Sequence, residues 1–205
     1  MRAIVAVVLF TNEDIRIYSE RRCSIVNARS EAMSGMRTEE APLDFEAIFR
    51  AQYPRIARVI ARVVRDPARA EELAVEVFLK LWRNPSAQGE KAEGWLYRAA
   101  VRKALDELRR ETRRARYEGL LGFAQPVQTP EQVRSVTEEQ ERVRLVLAVL
   151  GQRQAGLLIL RSDGLSYQEL ATALNLNAVS VGTLLSRAQH AFRKEYSKRY
   201  GKELG

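Results

Sequence analysis

The chain has 205 residues, enough for one compact domain or two small ones. Charged residues are 29% and hydrophobic residues 46%, a soluble globular composition, and the net charge of +8 points to nucleic acid as partner, with a membrane surface as the competing reading. A single cysteine, Cys23, excludes an internal disulfide and a cysteine-based metal site, and no apolar run is long enough to span a bilayer.

Residues 1–42 differ from the rest. Ala3–Phe10, AIVAVVLF, is a short apolar run behind Arg2. It imitates a signal peptide, but no small-x-small cleavage site follows. It also fits one buried strand rich in Val and Ile. A third reading places the true start at Met33 or Met36. An N-terminal appendage or a later start is preferred to a secretion signal.

From Asp44 to Asp66 the pattern predicts a helix. Phe45, Ile48, Phe49, Ile56, Val59, Ile60 and Val63 supply its apolar stripe. Pro54 should kink or restart it. Asp66-Pro67 then opens the helix on which the chain is organised, DPARAEELAVEVFLKLWR, and Asn84-Pro85 stops it. Ala70, Leu73, Ala74, Val77, Phe78 and Leu81 fall on one face, wide enough for the wall of a core. The opposite face carries Glu72, Glu76 and Arg83, with Val75 and Leu79 at its edges. Such an acidic strip beside apolar residues suits a docking surface. From spacing alone, a solvated face is the simpler reading. Asn84–Lys91 reads as a surface loop.

Glu93–Arg116 is predicted as a long helix. Tyr97, Ala100, Val101, Ala104, Leu105 and Leu108 form its core stripe. Arg98, Arg102, Arg109, Arg113 and Arg116 share another side, since their spacings follow the helical repeat. This arginine ridge suits a phosphate track, and Trp95 at its start suits stacking on an unpaired base. A solvated basic face with Trp95 half in the core fits the helix equally well.

Tyr117–Val136, with Gly119, Gly122, Pro126 and Pro130, reads as a linker. Thr137–Gly151 is helical again, with Val143, Val146, Leu147 and Leu150 as its stripe. Gln152–Asp163 is a short apolar helix closed by Gly164. Leu165–Ala191 then shows the helix-turn-helix pattern. Ser166 and Glu169 form a capping box. Leu170, Leu174, Leu176, Val181 and Leu184 are its apolar positions, Ala171 is small at the crossing, and Asn175 sits at the tight turn. Ser180, Thr183 and Arg187 would face a major groove. His190, the only histidine, reads as a contact residue, and with Arg193, Lys194, Lys198 and Arg199 it continues a basic tail suited to phosphates.

In this order, DPARAEELAVEVFLKLW, GWLYRAAVRKALDELRR and GLSYQELATALNLNAVSVGTLLSRA resemble the extracytoplasmic-function sigma factors of bacterial RNA polymerase, over Leu43–Tyr196. The resemblance implies an all-α chain of two small helical domains joined by a flexible linker: residues 43–116 for the clamp and the −10 element, 117–136 as linker, and 137–199 as a helix-turn-helix for the −35 element. It implies docking on the clamp of the largest polymerase subunit through Glu72, Glu76, Leu79 and Arg83. It implies −10 contacts from Trp95, Arg98, Arg102, Arg109 and Arg113, and −35 contacts from Ser180, Thr183, Arg187 and His190 near the flap of the second-largest subunit. The linker would run through the polymerase channel near the active site. An anti-sigma factor is a partner of many relatives. The implied place of action is the cytoplasm, with no enzyme activity, cofactor or metal.

The chain departs from the family pattern at several positions. Glu72 and Val75 stand where Asp and Gln are usual, Arg102 where Asn is usual, and Gly182, Thr183 and Leu184 where a Lys-Ser-Arg run is common. The last change removes two cations from the recognition helix. The principal alternative is a stand-alone helix-turn-helix regulator, which leaves the paired domains and the acidic face unexplained. A nucleic-acid enzyme holding metal on Glu71, Glu72 and Glu76 is a weaker one, since hard cations usually need more oxygen ligands than helix neighbours provide.

Overall fold

The computed structural model describes residues 45–89, 91–120 and 131–201, and among these the regular structure is helical, with no strand. The readings for residues 1–42 lie outside the described residues, as do Asp44 and Gly122, Pro126 and Pro130 of the linker.

Helix α1 spans Phe45–Ala61 and runs unbroken through Pro54. It stops at Ala61, short of the expected Asp66. The reason is a tight turn in which the Val63 and Val64 N–H groups both donate to the Ile60 carbonyl at 2.9 Å. Both valines are buried there, so the turn belongs to the core.

Helix α2, Pro67–Trp82, begins as the sequence predicts. Asp66 Oδ1 accepts from the Ala68 N–H at 2.9 Å and the Arg69 N–H at 3.3 Å. At its far end the Gln88 amide donates to the Leu81 and Trp82 carbonyls, and the Leu81 carbonyl also accepts from the Asn84 N–H at 3.0 Å. The predicted face is the buried one, and Phe78 meets Phe49 edge-on at 4.9 Å. A short 3-10 turn, Pro85–Ala87, leads on.

Helix α3, Ala92–Leu120, packs on α1 and α2 through its predicted stripe, with Leu96 added. Arg69 of α2 clasps Glu107 of α3 through one edge of its guanidinium, Nε and Nη2 donating to the two carboxylate oxygens at 3.1 and 3.2 Å. That pairing holds the Glu107 carboxyl below the usual carboxylate range. A depressed folded-state value means the stabilisation is present above the unfolded carboxylate range and is lost as pH falls through the folded value. Glu107→Gln is therefore expected to lower the melting temperature at pH 7 and to flatten its decline on acidification. An acid profile parallel to the wild type would contradict this.

Helix α3 continues to Leu120 and α4, Glu131–Val149, begins early, so helix enters both ends of the stretch expected as linker. Helix α5, Gln152–Ser162, closes with Gly164 at φ +98°, the Gly164 N–H on Arg161 O and the Leu165 N–H on Leu160 O. This is the Schellman arrangement that a glycine permits at no steric cost. Helix α6, Tyr167–Leu174, carries the predicted Ser166/Glu169 capping box, and Asn175 takes the left-handed conformation at φ 53°. Helix α7, Ala178–Tyr200, is capped by Asn177. Its buried stripe is Val181, Leu185, Ala188 and Phe192, while Leu184 is only partly buried. The residues expected as a basic tail continue this same helix.

Helices α1–α3 pack on one another, as do α4–α7, and α3 also contacts α4, α5 and α6. The buried apolar residues of both sets form one continuous cluster. Two small residues permit the close crossing. A Cβ on Gly94 would lie 2.7 Å from the Thr172 carbonyl oxygen, and one on Gly156 3.3 Å from a Val101 methyl.

Candidate functional site

Three surfaces carry the sequence-predicted residues. The first is the outward face of α2. Leu79 is 46% exposed, and Val75 and Trp82 stand beside it at 41% and 51%. Single exposed apolar side chains are ordinary, but three large ones along one helix make a patch. Trp82 is a member the sequence reading missed, because its spacing from the apolar stripe put it at the border. Phe45 holds its ring edge-on at 5.0 Å. Glu72 and Arg83 are exposed nearby. The acidic strip is not bare: Glu72 accepts from Arg69 at 2.9 Å, and Glu76 pairs with Lys103 and lies 3.9 Å from Arg69. These cations mute its negative field, so the apolar members dominate the patch. They also engage Glu72 and Glu76, two of the three carboxylates of the candidate metal site. Among the described residues, no group of three or more His, Cys, Asp and Glu side chains is placed to hold a metal ion.

The second surface is the arginine ridge of α3. Arg102, Arg113 and Arg116 are exposed. Arg98 and Arg109 are not free. Arg98 Nη1 donates to the Ala173 carbonyl at 3.0 Å, and burial draws its pKa down. Arg109 donates to the Ala148 and Leu150 carbonyls at 3.0 and 3.1 Å. These two members of the ridge thus face α6 and the end of α4, which helical spacing within α3 could not reveal. Trp95 is partly buried against the core and presents only part of its indole.

The third surface is the outer face of α7. Ser180, Thr183, Arg187 and His190 are all exposed and share one side, as expected. Val179, at the helix start, is 90% exposed. Tyr167 stacks under the Arg161 guanidinium at 5.5 Å and flanks Gly182. A Cβ on Gly182 would reach Tyr167 only at 3.5 Å, an ordinary contact. Gly182→Ala should therefore stabilise the chain by roughly 0.5–1 kcal/mol, the helix-propensity difference, measured by urea denaturation. A loss of stability would show that the site needs glycine for packing.

Residues 48–114 match the family model Sigma-70 region 2. Among curated proteins, the chain is 29% identical over 181 residues to the ECF RNA polymerase sigma factor SigK of Mycolicibacterium vanbaalenii, covering 84% of this chain and 92% of the relative. It is 31% identical over 173 residues to the ECF RNA polymerase sigma factor SigL of Mycobacterium tuberculosis, covering 78% and 91%. Among solved structures, a Bartonella quintana sigma factor RpoE, crystallised with the anti-sigma factor NepR, aligns over 74% of this chain and 96% of that one at 18% identity and a TM-score of 0.43.

Proposed function

The chain belongs to the ECF sigma factors of RNA polymerase, and from that premise we propose that it binds core polymerase, recognises promoter DNA with both helix sets and promotes melting for transcription initiation. Helices α1–α3 correspond in this reading to the clamp and −10 unit, and α4–α7 to the −35 unit. Leu79, flanked by Val75 and Trp82, anchors α2 on the clamp, with Glu72, Glu76 and Arg83 setting register around it. Ser180, Thr183, Arg187 and His190 enter the major groove at the −35 element. Trp95, Arg98, Arg102, Arg109 and Arg113 serve the −10 element, the arginines on phosphates and the indole on an unstacked base. None of these steps asks the chain for catalysis, and the cytoplasm, where polymerase works, is its place of action. An anti-sigma factor is a further partner by family alone.

The observation that carries this reading is one chain holding both an apolar outward face on α2 and, on α7 after the tight turn at Asn175, an exposed row of Ser180, Thr183, Arg187 and His190. A stand-alone regulator needs only the second. Co-elution of the full chain with core polymerase on gel filtration is the expected result. Tight, specific promoter binding without polymerase, together with no co-elution, would favour the regulator.

A further inference from the structure

We propose that Val179, with Thr183 one turn on, selects thymine in the upstream promoter box by packing against its C5 methyl group in the major groove. This deepens the function proposed above and rests on α7 being the helix that enters that groove.

A helix-turn-helix meets base edges with the first turns of its second helix. In α7 those turns carry Val179, Ser180 and Thr183, all exposed. Val179 heads the row: Thr183, Arg187 and His190 follow it at spacings of four, four and three, so the four share one side. Its side chain is 90% exposed and adds almost nothing to the core. A lone exposed valine is ordinary on a surface. Val179 is not alone. Gly182, three residues on, carries no side chain, and the half-exposed ring of Tyr167 lies behind it, 3.5 Å from where a Cβ would stand. Val179, Thr183 and Tyr167 therefore border a bare stretch of α7 backbone.

The charge on this face points the same way. Guanine is read mainly by Arg or Lys, which bridge its O6 and N7, whereas the thymine methyl is read by small apolar groups. Between Ala178 and His190, Arg187 is the one Arg or Lys, and it stands about two turns beyond Val179. The first turns thus offer apolar and hydroxyl groups to the bases and no cation. Attraction to phosphates comes from farther along α7, where Arg193, Lys194 and Lys198 are exposed. Affinity and base choice then belong to different parts of one helix.

The cap fixes the valine in place. The Val179 N–H donates to Asn177 Oδ1 at 3.0 Å and the Ser180 N–H to the Asn177 carbonyl at 2.9 Å. What Val179 offers the DNA is therefore its side chain and not its N–H. A β-branched side chain has one strongly preferred χ1 in a helix, so its methyl groups are ordered before DNA arrives.

The test selects duplexes from a random library with the full chain, with and without core polymerase. The enriched upstream box is then resynthesised with deoxyuridine in place of each thymine, which removes only the methyl group. The wild-type chain should enrich thymine in this box and lose about fourfold in affinity for each methyl that Val179 and Thr183 cover. Val179→Ser removes both valine methyls at similar helix propensity, so its melting temperature should stay unchanged. It should bind the thymine box about fourfold more weakly, and at one position it should no longer distinguish thymine from deoxyuridine. The proposal is overturned by an enriched box without thymine, by no enriched box at all, or by deoxyuridine that binds as well as thymine. It is equally overturned by a Val179→Ser chain that loses as much as the wild type at every replacement. The two arms of the selection separate it from the sigma-factor reading. Methyl-dependent binding by the chain alone, with no polymerase recruited, keeps the thymine contact and sinks the sigma factor. Transcription starts that need the chain but ignore the methyl groups do the reverse.

Discussion

Replacing Leu79 by Asp is expected to weaken polymerase binding by this chain about thirtyfold or more while moving its melting temperature by no more than about 2 °C. Leu79 is nearly half exposed and lies outside the buried apolar cluster, so the free protein should tolerate the change. At a clamp interface the same change replaces an apolar anchor with a desolvated, unpaired carboxylate. Losses of about 2–4 kcal/mol are typical at such anchors, on the order of a thirtyfold to thousandfold drop in affinity. Binding to core polymerase by fluorescence anisotropy, beside a thermal melt, measures both halves. Near-normal affinity would remove α2 from the docking surface. A collapsed melt would show that Leu79 is structural.

Its neighbour in sequence should behave in the opposite way. Phe78 is 1% exposed and its ring packs against Phe49, Phe45 and Tyr53. Phe78→Ala opens a cavity at the centre of α1–α3 and should cost about 3–5 kcal/mol. That corresponds to a fall of about 6–20 °C in melting temperature for a chain of this size. Urea denaturation gives the free energy directly, and a loss below about 1 kcal/mol would mean that the aromatic cluster repacks. The contrast between adjacent positions separates what α2 does for the fold from what it does for a partner.

Much of this architecture was legible because local chemistry sets it. The Asp66-Pro67 start of α2, the capping box at Ser166, the left-handed Asn175 and the glycine stop at Gly164 are short-range devices, and each appears where the sequence places it. The exposed row Ser180, Thr183, Arg187 and His190 was legible for the same reason, since one helix repeat defines its face. In α7 the repeat was read one residue off, on Leu184, because Leu184 and Leu185 are both apolar and only the packed core selects the second. Pro54 was read as a kink or restart because its missing N–H is a local cost; α1 does not restart there but continues from Phe45 to Ala61, packed on α2 and α3.

The long-range links were not legible. Arg62 and Asp163 lie far apart in sequence, and nothing near either one marks it as half of a buried ion pair. Arg98 and Arg109 looked like solvated cations because helical spacing shows which residues share a face and not what that face meets. The docking strip misled in a similar way: its glutamates were counted as free charge, whereas Arg69 and Lys103 neutralise them across the helix and from α3.

Run-off transcription tests the central claim most directly. Core bacterial RNA polymerase would be presented with a library of promoter fragments, with and without the full chain. The account predicts start sites that appear only when the chain is present and that share two sequence boxes, one upstream read by α7 and one downstream read by α3. No new start sites, from a chain that also fails to bind core polymerase, would contradict it.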